Sequence, residues 1–141
     1  MAFRDIAAIA GSAMTAQTVR LNTVASNLAN AQSAAGTEQT TYHARKPVFA
    51  SVFAHQSFSE TSSYGARVQV LDVVESTEPL RKAYEPDNPL ANAQGEVYYP
   101  NVNPVAEMTD MMSASRAFET NVEVLGRVKH MQQSLLRLGE A

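Results

Sequence analysis

Apolar residues recur in alternating steps of four and three at Phe3, Ala7, Ala10, Met14, Gln17, Leu21, Val24, Leu28 and Ala31, with Gln17 the polar exception. That period is the seam of a coiled-coil helix. The segment is rich in alanine and free of proline, so the pattern predicts a helix from about residue 3 to 32, roughly 45 Å long. Gly11 weakens it locally, and Ser33 to Thr37, with Gly36 among small and polar residues, reads as its exit.

The same spacing returns at Met108, Met111, Ser115, Phe118, Val122 and Leu125 and then drifts through Val128, Met131, Leu135 and Leu138. Drift of this kind follows when an apolar face departs slightly from a period of 3.5. Asn103 before Pro104 supplies the start, because asparagine can accept from exposed amides and proline lacks one that would go unbonded. Glu107 and Asp110 stand early, whereas Arg127, Lys129, His130 and Arg137 stand late, in accord with the helix dipole.

Between these segments the character changes. Residues 36 to 100 carry glycines at 36, 65 and 95, prolines at 47, 79, 86, 89 and 100 and several aromatic residues, a strand and turn composition. Val48 to Phe53 and Ala66 to Val74 are the best strand candidates, the second placing Val68, Val70 and Val74 on one face with Asp72 interrupting. Residues 55 to 64 read as a mobile loop, and Glu85-Pro86-Asp87-Asn88-Pro89 as an extended turn.

The predicted architecture is mainly α with a small β lobe. Residues 1–35 hold the first helix, 36–100 the strand and turn lobe, and 101–141 the second helix. A lone amphipathic helix of this length leaves its apolar stripe in water, so each needs a partner. The expectation is an antiparallel coiled coil of the two, with the lobe looped out. Flanks such as Ile6, Ile9, Val19, Met112 and Val124 would still be partly exposed, which points to further association.

Composition narrows the function. The 141 residues suffice for one ordinary domain. A net charge of -3, with 11 basic and 14 acidic residues spread along the chain, provides no basic field for nucleic acid. No cysteine is present, which removes disulfides and thiolate chemistry. No apolar run approaches the roughly 18 residues of a membrane span. Ile6 to Met14, after Arg4, imitates a signal-peptide core, but Asp5 adjoins it and the helical pattern continues through Val24 and Leu28.

Catalytic chemistry finds little support. His43, His55 and His130 lack the short spacing of a zinc motif, so neither a metal nor a cofactor is expected. Ser12, Ser26, Ser113 and Ser115 lack a Gly-x-Ser-x-Gly turn. Asp72, Glu75 and Glu78 read as a charged strand end, not an acid/base pair.

Polar residues on the helices carry more information. Gln17 and Ser115 in apolar seams either fix register and partner choice or turn to solvent as the seam drifts. Asn22, Asn27, Asn30 and Asn121 are middling helix formers whose amides suit hydrogen bonds across a packed interface, the other reading being an exposed polar face. Arg116 pairs either with Glu119 or Glu123 on its own helix or with another subunit. With Met14, Leu21, Val24, Leu28, Met108, Met111, Phe118, Val122 and Leu125, these are the candidate helix-pairing and subunit-interface residues.

The motifs also carry a resemblance. Ser12-Ala13-Met14-Thr15-Ala16-Gln17, Arg20-Leu21-Asn22 and Ala25-Ser26-Asn27-Leu28-Ala29-Asn30-Ala31 closely resemble the N-terminal signature of the flagellar rod, hook and hook-associated axial proteins. Tyr99-Pro100-Asn101-Val102-Asn103, Glu107-Met108, Asp110-Met111 and Ala114-Ser115-Arg116-Ala117-Phe118-Glu119-Thr120-Asn121 resemble the C-terminal region of a short proximal-rod member. The Pro79-Leu80 and Pro86-Asp87-Asn88-Pro89 elements and Gly95 agree, so the similarity covers nearly the whole chain. Ser33-Ala34-Ala35 departs from the family's usual threonine-rich turn.

The resemblance implies a structural subunit, not an enzyme. Such a subunit is exported unfolded by the flagellar type III apparatus without signal cleavage. It assembles helically into the hollow periplasmic drive shaft of the basal body, which transmits torque and passes exported subunits. Its implied partners are other copies of itself, other rod proteins and proteins near the basal-body ring and export gate. In such relatives the terminal helices form an inner tube, the C-terminal one facing the channel, with the lobe outside. The alternatives are the other short rod subunit, or an export chaperone or adaptor using the same helical pair.

Overall fold

The computed structural model of the chain describes residues 3–53 and 66–139. Its elements are α1 (Phe3–Asn30), β1 (Arg45–Phe53), β2 (Ala66–Glu75), β3 (Arg81–Tyr84), β4 (Glu96–Tyr99) and α2 (Pro104–Gly139). Among the described residues the architecture is two helices, of 28 and 36 residues, and two small sheets. The expected loop at 55 to 64, with His55 and Gly65, lies outside the described residues.

The helix ends follow from local chemistry. At the start of α2, Asn103 Oδ1 accepts from the Val105 and Ala106 amides at 3.1 and 3.3 Å, while its carbonyl accepts from Glu107 N at 3.0 Å. Pro104 occupies the first helical position, where its missing N–H costs nothing. At the end of α1, Ser33 N donates to the Asn30 carbonyl at 3.0 Å, and Asn30 Nδ2 donates to the Ser26 carbonyl at 2.9 Å. The exit then joins β4 through reciprocal Ala35 and Tyr98 amide bonds of 3.0 and 2.8 Å. Gly36 is needed at this exit, because a Cβ there would stand 2.9 Å from the Leu90 carbonyl oxygen.

β1 and β2 form one two-stranded sheet, and β3 and β4 the other. β3 pairs antiparallel with β4 in the register Arg81 to Tyr99, Lys82 to Tyr98, Ala83 to Val97 and Tyr84 to Glu96. The turn between them contains the expected Pro86–Pro89 element, where Asn88 N donates to the Glu85 carbonyl at 3.0 Å and Ala91 N to that of Asn88 at 2.9 Å. Gly95 closes it at φ +74°, a left-handed conformation available to glycine without steric cost.

The chain divides into two compact units. The first comprises Met1–Val19, Val48–Asp72 and Ser113–Ala141, and the second Arg20–Pro47 and Val73–Met112. In the second, Thr23, Val24, Asn27, Thr41, Ala44 and Val97 are buried. In the first, the buried residues among those described are Ala10, Ala16, Ala114 and Val128, three of them alanine. Large side chains of the same unit are exposed instead: Phe53 at 71%, Leu71 at 60%, Leu136 at 69% and Leu138 at 74%. Buried alanine is ordinary, whereas this many large apolar side chains left exposed mark a surface that associates.

Candidate functional site

The expected interface residues lie on α1 and α2, and their polar members are engaged in distinct ways. Asn27, 1% exposed, is the centre of the second unit. Its Nδ2 donates to the Arg45 carbonyl at 2.8 Å and to Glu107 Oε2 at 3.1 Å. Its Oδ1 accepts from Tyr42 Oη–H at 2.8 Å and from Arg45 N at 2.9 Å. A carboxamide has two donors and two acceptor sites, and all four are used. One side chain thereby ties α1, the entry to β1 and the first turn of α2 together.

Two further contacts extend this arrangement within the same unit. Arg20 grips Asp110 with two parallel bonds, Nε to Oδ2 at 3.1 Å and a terminal amino group to Oδ1, the fork geometry that suits arginine to carboxylate. The bond to Asp110 holds the Arg20 guanidinium above its ordinary pKa. Asn101 Oδ1 accepts from Ala44 N at 2.7 Å while its Nδ2 donates to the Glu78 carbonyl at 2.8 Å. The Tyr99–Asn103 motif therefore holds the segment after β2 as well as starting α2.

In the first unit Ser12 Oγ accepts the Val68 N–H at 3.1 Å and donates to the Ile9 carbonyl at 2.8 Å, fastening β2 to α1. The alternation of burial along 66–70 matches the expected inward face with Val68 and Val70, whereas Val74 is exposed at 43%. Asn121 Nδ2 turns back to the Ala117 carbonyl at 2.7 Å. Among the described residues Arg116, which is exposed, forms no ion pair with Glu119 or Glu123.

The remaining seam residues are graded in exposure. Val24 is buried, and Met14, Gln17, Leu21, Leu28 and Asn30 are half-buried, while Asn22 is exposed. On α2 Met111, Ser115, Phe118 and Leu125 are half-buried, whereas Met108 and Val122 are exposed at 56% and 45%. On α2 the covered positions Glu107, Asp110, Ala114, Ala117 and Asn121 each stand one position before a seam residue, and the seam itself is covered at Val128. At its start the reason is chemical: Glu107 and Asp110 are partly covered because Asn27 and Arg20 satisfy them.

The β3–β4 sheet presents a polar surface. Lys82 Nζ lies 2.7 Å from Glu96 Oε1, and their hydrogen bond holds the lysine above its ordinary pKa and the glutamate below it. The Arg81 guanidinium stacks 4.6 Å over the Tyr99 ring, whose hydroxyl donates to Glu85 and is kept protonated by that bond. An open cleft of about 500 Å³ adjoins them, lined by Gln32, Arg81, Lys82, Ala83, Glu85 and Tyr99. No pair of groups there is arranged as acid and base toward a common reacting atom.

Among the described residues no cluster of three histidine, cysteine or acidic side chains could hold a metal ion, and no helix is long and apolar enough to cross a membrane. What the site offers is a closed polar network in one unit and uncovered apolar helix and strand surfaces in the other.

Comparison with known proteins gives that arrangement its context. Residues 8–35 match the family described as flagella basal body rod protein, and residues 93–138 match the flagellar basal body rod FlgEFG protein C-terminal family. The chain is 48% identical over 140 residues to the flagellar basal-body rod protein FlgC of Escherichia coli O6:H1, covering 99% of this chain and 100% of the relative. It is 46% identical to the Salmonella typhimurium FlgC with the same coverage. The Bacillus subtilis FlgC is 34% identical over 143 residues, covering 94% of this chain and 95% of the relative.

Proposed function

The chain belongs to the FlgC family of flagellar basal-body rod proteins and is a structural subunit of that rod, and from this premise we propose that it builds the proximal rod through the helical surfaces its own fold leaves uncovered. The observation that carries the proposal is the uncovered apolar surface of the first unit, where Met131, Leu135, Leu136 and Leu138 are exposed at 52 to 74%. Each large side chain covered by a neighbour would contribute about 1.5–3 kcal/mol before the cost of ordering. Assembly is thus the natural completion of this fold.

In this reading α1 and α2 pair as an antiparallel coiled coil. Support comes from the second unit, where contacts advance along α1 from Arg20 to Asn27 as they retreat along α2 from Asp110 to Glu107. Gln17, Ser115, Asn22, Arg116, Met108 and Val122, which carry polarity or exposure on these helices, face neighbouring subunits. The partners are further copies, other rod proteins and proteins near the ring and export gate. The subunits stack helically into a hollow periplasmic shaft that carries torque and passes exported chains, each subunit arriving by flagellar export with its first residues retained.

A strain deleted for the chain tests the proposal by electron microscopy of purified basal bodies. Structures should stop before the distal rod and return to full length when the wild-type chain is supplied. Complete rods in the deletion strain would overturn it.

A further inference from the structure

The chain contains 6 methionines and no cysteine, so every sulfur in it is a thioether. Among the described residues Met108, Met112 and Met131 are exposed at 56, 59 and 52%, whereas Met14 and Met111 are half-buried. Met108 and Met112 stand one turn apart on one face near the start of α2. Met131 follows buried Val128 in an apolar stripe that continues to Leu135, itself 54% exposed. The oxidisable sulfur of α2 is therefore concentrated on side chains that the fold leaves uncovered.

We propose that Met108, Met112 and Met131 are a peroxide-sensitive set whose oxidation to sulfoxide keeps the chain out of the rod. The inference rests on the rod reading and adds a chemical modification to it. The oxidant is hydrogen peroxide. A sulfur lone pair attacks one peroxide oxygen, the S–O bond forms as the O–O bond breaks, and the departing hydroxide takes the proton of the transferred hydroxyl and leaves as water. Sulfur gives up two electrons and the peroxide accepts them. The product replaces a flexible apolar side chain by a polar one whose oxygen is a strong acceptor. In water that oxygen is solvated and the free chain tolerates it. Covered by an apolar neighbour it is left without a donor, which disfavours the covered state. Leucine at these positions would offer similar apolar area without this chemistry.

The experiment first applies dilute hydrogen peroxide to the purified full chain and reads sulfoxide peptide by peptide by mass spectrometry. Met108, Met112 and Met131 should oxidise at least about threefold faster than Met14 and Met111. Next, a strain deleted for the chain receives M108Q/M112Q/M131Q, which supplies polar side chains of similar length, or M108L/M112L/M131L, which supplies apolar ones. Glutamine and leucine are both good helix formers, and circular dichroism checks that the two variants have equal helix content. Complete basal bodies counted by electron microscopy should be at least about tenfold fewer with glutamine than with leucine. Where the glutamine triple loses helix content, M131Q against M131L gives the same comparison. Finally, in cells pulsed with peroxide before rod assembly is induced, chain recovered from basal bodies should carry less sulfoxide at the three positions than chain in the free pool. The inference is overturned if the three oxidise no faster than the half-buried pair, if glutamine and leucine variants build equal numbers of rods, or if the two pools carry equal sulfoxide. Rods restored by the wild-type chain uphold the rod reading even then, so the two failures are distinguishable.

Discussion

Asn27 Nδ2 donates to Glu107 Oε2 at 3.1 Å across 80 positions of sequence, joining the C-terminal half of α1 to the first turn of α2. This bond is one of four that saturate the buried carboxamide. Replacing Asn27 with aspartate would turn two donors into an acceptor facing the Arg45 carbonyl and the Glu107 carboxylate. N27D should therefore destabilise the chain by about 3 kcal/mol or more, and by more than N27A, because it buries an uncompensated charge. Thermal and urea melts of the two variants check the order. N27D as stable as N27A would mean that Asn27 is not the centre of the second unit.

The Asn103 cap sets the start of α2. N103A should cost about 1 kcal/mol, whereas N103D or N103S should retain most of the stability, since each keeps an acceptor for the Val105 and Ala106 amides. Urea midpoints at constant slope would measure it. Equal loss in all three would point away from capping.

Gly95 should tolerate no side chain. A Cβ there would lie 2.9 Å from the Tyr84 ring, on a backbone at φ +74°. G95A should cost about 1–3 kcal/mol, and amide exchange should show the loss concentrated in β3 and β4. Unchanged protection of Lys82 and Tyr98 amides would contradict the account of this turn.

The Lys82–Glu96 pair makes a pH prediction with a definite sign. The Glu96 pKa is lowered by the folded state, so its contribution is present above the unfolded value of about 4.3 and is lost as pH falls through the lowered folded value. The Lys82 pKa is raised, so its contribution is present below about 10.4 and is lost as pH rises through the raised value. In a carboxyl NMR titration K82M should move the Glu96 pKa upward. No movement would show that the lysine is not the cause.

The parts of this fold legible in the sequence are those decided by neighbours along the chain. Asn103 before Pro104 announces a helix start through groups one to three residues away, and the structure places the cap there. The strands around Val48–Phe53 and Ala66–Val74 differ from β1 and β2 by at most a few residues. The 3–32 helix stops at Asn30 because the amide of Ser33 closes the turn. β3 and β4 were not legible, since Arg81-Lys82-Ala83-Tyr84 is short and charged, and its pairing depends on Gly95 turning left-handed. Nor was the inward turn of Arg20, Asn27, Glu107 and Asp110, because each polar group is satisfied by a partner far away in sequence. Flagellar identity was legible in the motifs themselves, and the relatives at 34 to 48% identity bear it out.

A second unit complete within one chain, and an end of α2 completed by neighbours as proposed, differ in what protects their amides. Amide hydrogen exchange read by mass spectrometry, on the dilute free chain and on the same chain in isolated basal bodies, tests it most directly. Amides around Asn27 and Val97 should be protected in both states, and those of residues 128–138 only in the rod. Equal protection of 128–138 in the dilute free chain, or none in the rod, would contradict it.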